Sequence, residues 1–302
     1  MRPRFSILVP TYNIQKFIRE TIDAVLSQTF TDFELIVIDD GSTDRTMEVL
    51  KSYSDRIKIG QQTNAGPEEA RRKAAKMARG EYLVLLDHDD LLLPWALATY
   101  NRIIHEFDAP SLIIGKLKWF QDGTSPVPEN YAYEEIGVFK FDDYLIKDVT
   151  APLSCSNVVV RRSVFEQSGA LQSTYKAFPM DTYHYVLLFG AFGPCVILQM
   201  PYTVGYRQHK NNTTLNHEFM IRGLMSVVEA ERLGLHGRTD RRVDRYACLG
   251  EILIWWLVKG LKHGKIRVSI ETLLNTVPML LAGGIRRGTR AFRRRPTLLR
   301  LT

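Results

Sequence analysis

The sequence predicts an α/β protein: a mostly parallel, Rossmann-like sheet with helices on both faces, followed by a helical C-terminal extension. Three observations carry this. Short apolar runs alternate with segments of helical period through the first 118 residues, two of those runs end in clustered carboxylates, and beyond residue 216 the pattern is helical throughout.

The runs FSILV (5–9), FELIVID (33–39), IKIGQ (57–61), EYLVLL (81–86) and SLIIGKL (111–117) have the length and composition of strands covered on both faces. Between them, Phe17, Ile18, Ile22, Val25 and Leu26 recur at helical spacing, and STDRTMEVLKSY opens on capping residues. GPEEARRKAAKM carries acids in its first turn and bases behind, and Pro94 suits the first turn of a helix over 94–107. Strict alternation of this kind predicts a doubly wound sheet, whose ligands bind beyond the carboxyl ends of the strands. After Lys118 the pattern loosens. Residues 119–150 are acidic, aromatic and turn-rich, SNVVVRRSVFEQSG reads as strand then short helix, MDTYHYVLLFG as helix, and CVILQMPYTVGYRQH as extended chain. Three helices are expected over 218–233, 243–263 and 266–282.

Composition narrows the function classes. With 45% hydrophobic and 24% charged residues the chain is neither disordered nor fibrous. Its net charge of +7 is local: residues 280–302 hold seven arginines and no acid, and the other 279 residues balance 33 bases against 33 acids. The body offers no basic groove, so no nucleic-acid partner is expected. Three well-separated cysteines suit reduced thiols, and MRPRFSILVP lacks the apolar length of a secretory signal, so a cytoplasmic location is expected. Neither 182–206, broken by glycines and prolines, nor 272–285, only 14 residues long, predicts a membrane span.

The acidic strand ends are the main chemical signal. VIDDGSTD supplies Asp39, Asp40 and Asp44, and LLDHDD supplies Asp87, Asp89 and Asp90. In a parallel sheet both clusters fall on the ligand-binding edge. Carboxylates gathered this way raise one another's pKa unless a cation compensates, and oxygen-rich clusters suit Mg²⁺ or Mn²⁺ with positions left open for phosphate oxygens. Helix capping by Ser42, Thr43, Asp44 or Asp90 accounts for either cluster alone better than for both. A phosphoryl-receiver domain also gathers acids at strand ends, but this chain continues far beyond its length. A dinucleotide fold would need glycines after the first strand, where PTYNIQ has none.

SILVPTYN, SQTFTDFELIVIDDGSTD, NAG followed by AR, and ARGEYLVLLDHDD, in that order, resemble glycosyltransferase family 2, the inverting nucleotide-sugar transferases of GT-A fold. The resemblance is dense over 5–115, thinner over 150–210 and absent from the last ~90 residues. It implies a catalytic domain over 1–215, with a nucleotide-binding half (1–118) and an acceptor-binding half (119–215), and a helical extension over 216–302 with a basic tail. It implies that Pro10, Thr11 and Tyr12 form the base pocket, that Asp40 accepts from the base, and that Arg71 lies near the nucleotide. Asp87 and Asp89 match its DXD motif, Asp87 facing the nucleotide and Asp89 the metal, Mn²⁺ or Mg²⁺; His88 stands where a small residue is frequent. Arg71 and Arg72 also read as a solvated helix face. Asp181 matches the base that deprotonates the acceptor, with Met180 where the family often has Glu, and it also reads as a helix cap. YRQHKNNTT resembles a loop closing over the diphosphate, with His209 completing the metal shell and Arg207 or Lys210 supplying charge.

The implied activity is transfer from a nucleotide-sugar donor, UDP-linked, to a hydroxyl of a glycan or lipid-linked acceptor in surface polysaccharide or glycolipid synthesis. Its alternatives are a nucleotidyltransferase on a similar sheet and a non-catalytic nucleotide-sugar-binding protein. EILIWWLVKGLKHGK and the arginine-rich tail suit either an anionic membrane surface on the inner face of the cell membrane, or packing against the catalytic domain or a second copy in a homo-oligomer.

Overall fold

The structure is a computed structural model that describes residues 2–127, 135–172, 175–290 and 297–301. Part of the acidic 119–150 stretch, and the tail arginines within 291–296, lie outside the described residues.

The first four strands are β1 (Phe5–Thr11), β2 (Phe33–Asp39), β3 (Lys58–Gln61) and β4 (Tyr82–Leu85), lying side by side and parallel in the order β4-β1-β2-β3. Alternate residues of β1 serve two cores. Phe5, Ile7 and Val9 face α1 (Ile18–Leu26) and α4 (Ala96–Glu106), whereas Leu8 faces the core shared with Ala70 and Ala74 of α3 (Pro67–Met77). A strand buried on both faces has no polar side to display, which is why these runs are continuously apolar. α2 (Thr46–Lys51) is shorter than its sequence pattern suggests, because Asp44 Oδ1 accepts from Thr46 N at 2.9 Å and leaves the preceding residues as a turn.

Beyond β4 the sheet is mixed. β9 (Val158–Arg161) enters antiparallel between β4 and β6 (Leu112–Ile114), and β10 (Cys195–Met200), β8 (Ile136–Phe141) and β12 (Leu299–Leu301) extend it to nine strands among the described residues. The expected strand over 111–117 divides at Gly115, where an added Cβ would lie 2.4 Å from Tyr100 Oη. The chain then joins a separate three-stranded sheet, β5 (Leu91–Leu92), β11 (Val204–Gln208) and β7 (Leu117–Gln121). The extended 195–209 segment divides in the same manner, between β10 and β11, at Pro201.

α5 (Arg162–Gln167) and α6 (Asp181–Phe189) follow β9, and the C-terminal region forms α7 (His217–Arg232), α8 (Arg242–Lys262), α9 (Ile266–Asn275) and α10 (Val277–Arg290). The single helix expected over 266–282 is therefore two, bent by 88° at Thr276, two residues before Pro278. Proline lacks the N–H that would continue the ladder, but it fits the first turn of the new helix. Leu224 and Val228 of α7 and Leu249 and Leu253 of α8 share one core with Leu83, Leu85 and Val160 of the sheet. α8 and α10 cross where Gly250 meets Met279: a Cβ on Gly250 would sit 1.8 Å from the Met279 carbonyl oxygen.

α6 is tied to this helical region by a buried polar chain. His184 Nδ1 lies 3.0 Å from His236 Nε2, His236 Nδ1 lies 2.9 Å from Glu231 Oε2, and Arg245 Nε donates to the same oxygen at 2.7 Å. Burial first, then the neighbouring His236 and Arg72, push His184 down from 6.5 to about 3. A lowered histidine favours the unfolded state as pH falls, so its stabilising contribution is complete above 6.5 and is lost progressively between 6.5 and about 3. Thermal unfolding between pH 6 and 4 is expected to show a loss of about 1.4 kcal/mol per pH unit from this group. His184→Asn should flatten that slope; an unchanged slope would show that His184 does not carry it.

Candidate active site

The parallel registers set the site. Thr11 pairs with Asp39 and Leu8 with Leu85, so β1, β2 and β4 end at one edge, and Asp40 and Asp87 emerge on either side of Thr11. Asp40 N donates to Thr11 O at 2.8 Å, and His88 Nδ1 lies 3.1 Å from Pro10 O. Pro10 and Thr11 complete β1 with buried side chains and contribute backbone oxygens to the edge. Of the three residues assigned to the base pocket, Tyr12 alone presents its side chain to solvent, 44% exposed.

Asp40 is buried at the start of α3. Its Oδ1 accepts from Gln62 Nε2 and Ala65 N, and its Oδ2 from Gly66 N, each at 2.8 Å. A carboxylate offers about four acceptor positions, so one remains for a ligand. Negative charge at a helix N-terminus is itself favourable, and this fixes where α3 begins.

α3 then delivers Arg71, which is buried rather than part of a solvated helix face, as is Arg72. The Arg71 guanidinium bonds Asp181 Oδ2 through Nη1 and Asp87 Oδ1 through Nη2. Burial alone would lower its pKa; Cys155, Asp181 and Asp87 more than reverse this and raise it well above the ordinary value. Arg71 thus joins Asp87 to Asp181, a residue 110 positions beyond the arginine itself. Asp181 opens α6 and is 6% exposed; its Oδ1 has no hydrogen-bond partner among the described residues.

The three carboxylates after β4 have different surroundings. Asp90 is sealed in, accepting from Ser156 Oγ at 2.6 Å and Arg207 N at 2.9 Å, and burial, then Asp89 and Asp87, push it well above the carboxylate range. Asp87 is also raised, chiefly by burial against the opposing pull of Arg71, though its side chain stays 31% exposed. Asp89 is lowered, because the hydrogen bond from His209 and the nearby His88 outweigh burial. Asp89 Oδ2 and His209 Nε2 lie 2.9 Å apart.

That pair answers whether a divalent ion suits the site. Asp89 Oδ2 and His209 Nε2 bond each other directly, and a carboxylate beside an imidazole is a donor pair that suits Mn²⁺ better than Mg²⁺. No cluster of three or more His, Cys, Asp or Glu fit to hold a metal occurs among the described residues. Asp89 and His209 would therefore hold an ion together with oxygens from water or a ligand.

Arg207 is 1% exposed, with its guanidinium between the Phe17 and Phe120 rings. It pairs with Glu20 at 2.7 Å and Asp122 at 3.2 Å, and its Nε donates to Asp89 O at 2.8 Å. It braces the Asp89 loop from beneath. Lys210, by contrast, is exposed at the tip of the 209–212 turn, which Asn212 closes by donating to Arg207 O at 3.0 Å.

Three contributors were not singled out from sequence. Ser154 Oγ and Ser156 Oγ contact Asp87 Oδ2 (3.4 Å) and Asp90 Oδ2 (2.6 Å) from the turn before β9, and Glu68 accepts from Ala177 N at 2.9 Å, setting the loop before α6. The polar LSCSN stretch abutting the apolar VVV run was the available signal for the serines.

Residues 6–169 match the family model for Glycosyl transferase family 2. The chain is 37% identical over 134 residues to the uncharacterized glycosyltransferase EpsJ of Bacillus subtilis, an alignment covering 42% of this chain and 38% of that protein. It is 37% identical over 117 residues to the poly(ribitol-phosphate) beta-N-acetylglucosaminyltransferase TarS of Staphylococcus aureus, covering 37% of this chain and 20% of TarS. A third relative, the putative teichuronic acid biosynthesis glycosyltransferase TuaG of Bacillus subtilis, is 31% identical over 175 residues, covering 57% of this chain and 66% of TuaG. The chain thus spans well under half the length of EpsJ and TarS. The crystal structure of S. aureus TarS 1-349 in complex with UDP-GlcNAc superposes with a TM-score of 0.58 at 19% identity, covering 94% of this chain and 92% of that one, which establishes a common fold. The matched segment contains the whole acidic edge from Asp39 to Asp90 as well as Arg71 and the serine turn, and on that ground the chain belongs to glycosyltransferase family 2.

Proposed function

We propose that this protein is a cytoplasmic inverting glycosyltransferase that moves a sugar from a nucleotide diphosphate donor, UDP-linked, to a hydroxyl of a glycan or lipid-linked acceptor in cell-surface polysaccharide synthesis. The observation that carries the reading is Arg71 held between Asp181 and Asp87. It brings a carboxylate suited to proton abstraction within one guanidinium of the carboxylate on the donor edge. In the transfer, the acceptor oxygen bonds to the anomeric carbon while the bond from that carbon to the diphosphate breaks, and Asp181 Oδ1 takes the hydroxyl proton. Tyr12 and the remaining acceptor position of Asp40 serve the base, and Lys210 supplies charge at the diphosphate. A divalent cation held by Asp89 and His209 supplies charge neutralisation for the leaving group. The similarity to glycosyltransferases of poly(ribitol-phosphate) and teichuronic acid biosynthesis, and to TarS in complex with UDP-GlcNAc, supports the donor and acceptor classes.

A thermal-shift panel of nucleotide sugars, each with and without Mn²⁺, tests the reading. A ligand at a hundred times its Kd stabilises the folded state by about 2.7 kcal/mol. UDP-sugars with Mn²⁺ are expected to raise the midpoint most. A panel in which no nucleotide sugar stabilises in a Mn²⁺-dependent manner would overturn it.

A further inference from the structure

The second half of the C-terminal region has an unusual surface. Among the described residues, 23 large apolar side chains are exposed, and ten of them lie between Trp255 and Ile285, about a tenth of the chain. In α9 they form one stripe, Ile266, Ile270, Leu273 and Leu274; in α10 Val277, Leu281 and Ile285 form another. Leu274, Leu281 and Ile285 are each more than 60% exposed. Both helices also bury an opposite side, with Val268, Thr272 and Met279 in the interior. The outward side of α7 shows the usual alternative, with Glu218, Arg222, Glu229 and Arg232 in ion pairs. Exposed apolar stripes on adjoining helices mark a surface that is covered by something.

Charge identifies the covering. From residue 252 to the end the chain carries eleven Lys and Arg against one acid, Glu271. Four of the bases, Lys259, Lys262, Lys265 and Arg267, fall in nine residues between Trp255 and Ile270. Lys259 lies over the Trp255 ring, with its ammonium 4.8 Å from the centroid. A second copy offering the same face would set these like charges against each other, whereas an anionic bilayer accepts both the apolar stripes and the basic rim. No single helix among the described residues is long and apolar enough to cross a membrane, and α9 and α10, which together would be, are bent by 88°. Helices of 10 and 14 residues at such an angle suit the interfacial plane rather than a span.

We infer that α9, α10 and the end of α8 form a docking surface for an anionic lipid bilayer, lying in its headgroup region. The surface does not depend on the glycosyltransferase reading, and its test uses no donor. The full chain is floated with vesicles of phosphatidylcholine alone, or with about 30% phosphatidylglycerol, at roughly 50 and 500 mM salt. At least tenfold more protein should float with anionic vesicles at low salt, and high salt should remove most of that difference. The double variant Leu274→Asp/Leu281→Asp should lose flotation at least tenfold with its thermal midpoint kept, because both positions are exposed. Lys262→Glu should weaken binding to anionic vesicles several-fold. Equal flotation with both lipids, or none, overturns the inference. So does light scattering that shows an oligomer dissociated by the double variant, since a second copy would then be the occupant. Retention on vesicles through alkaline extraction would mean insertion and would equally overturn it.

Discussion

Asp181→Asn is expected to reduce sugar transfer by on the order of 10²–10⁴-fold, the usual contribution of a positioned general base, while leaving nucleotide-sugar binding in place. Asparagine keeps the size of the side chain but has no basic oxygen for the acceptor proton. Arg71 keeps its bond to Asp87, so the donor edge retains its geometry. The measurement is a transfer assay alongside thermal shift with donor and Mn²⁺. Turnover near the wild-type rate would remove Asp181 from the chemistry, whereas joint loss of turnover and donor-induced stabilisation would mean that the substitution had damaged the donor site instead.

Arg71→Met is expected to be the most destabilising single change at the site, by about 3–5 kcal/mol, the cost of removing one member of a buried ion pair. Methionine approximates the length of the side chain, so the loss is mainly electrostatic: Asp181, Asp87 and Glu68 remain together without a cation between them. Burial, and then Asp181, already push Glu68 above its usual range, so the area tolerates little further negative charge. Chemical denaturation provides the readout. Adding Asp181→Asn to Arg71→Met should recover part of the loss, because one stranded charge is removed. Simple addition of the two single effects would show that the pair is not energetically coupled.

Much of this site was legible in the sequence because it rests on local pattern. Continuous apolar runs identified β1, β2 and β4 as covered strands, and acids directly behind two of them marked the working edge. The mixed half of the sheet was not legible, since VVVR has the composition of any buried strand and nothing local states that it runs antiparallel between β4 and β6. The buried setting of Arg207 was not legible for a related reason. A charged residue in a polar loop reads as exposed unless its partners are known, and Glu20 and Asp122 lie 187 and 85 residues away. The break at Thr276 was hidden because the apolar spacing continues through it, although Pro278 was visible.

Gly66, Glu68 and Arg71 lie within six consecutive positions, and they reach Asp40 at the end of β2, the loop before α6, and the carboxylates of Asp87 and Asp181. One and a half turns of helix act as the gauge against which the rest of the machinery is aligned. The turn ahead of β9 meets that gauge through Cys155, whose Sγ lies 3.6 Å from Asp181 Oδ2, while Ser154 and Ser156 contact Asp87 and Asp90. One residue inserted into α3 ahead of Arg71 would therefore put the two carboxylates it holds out of step with Asp40.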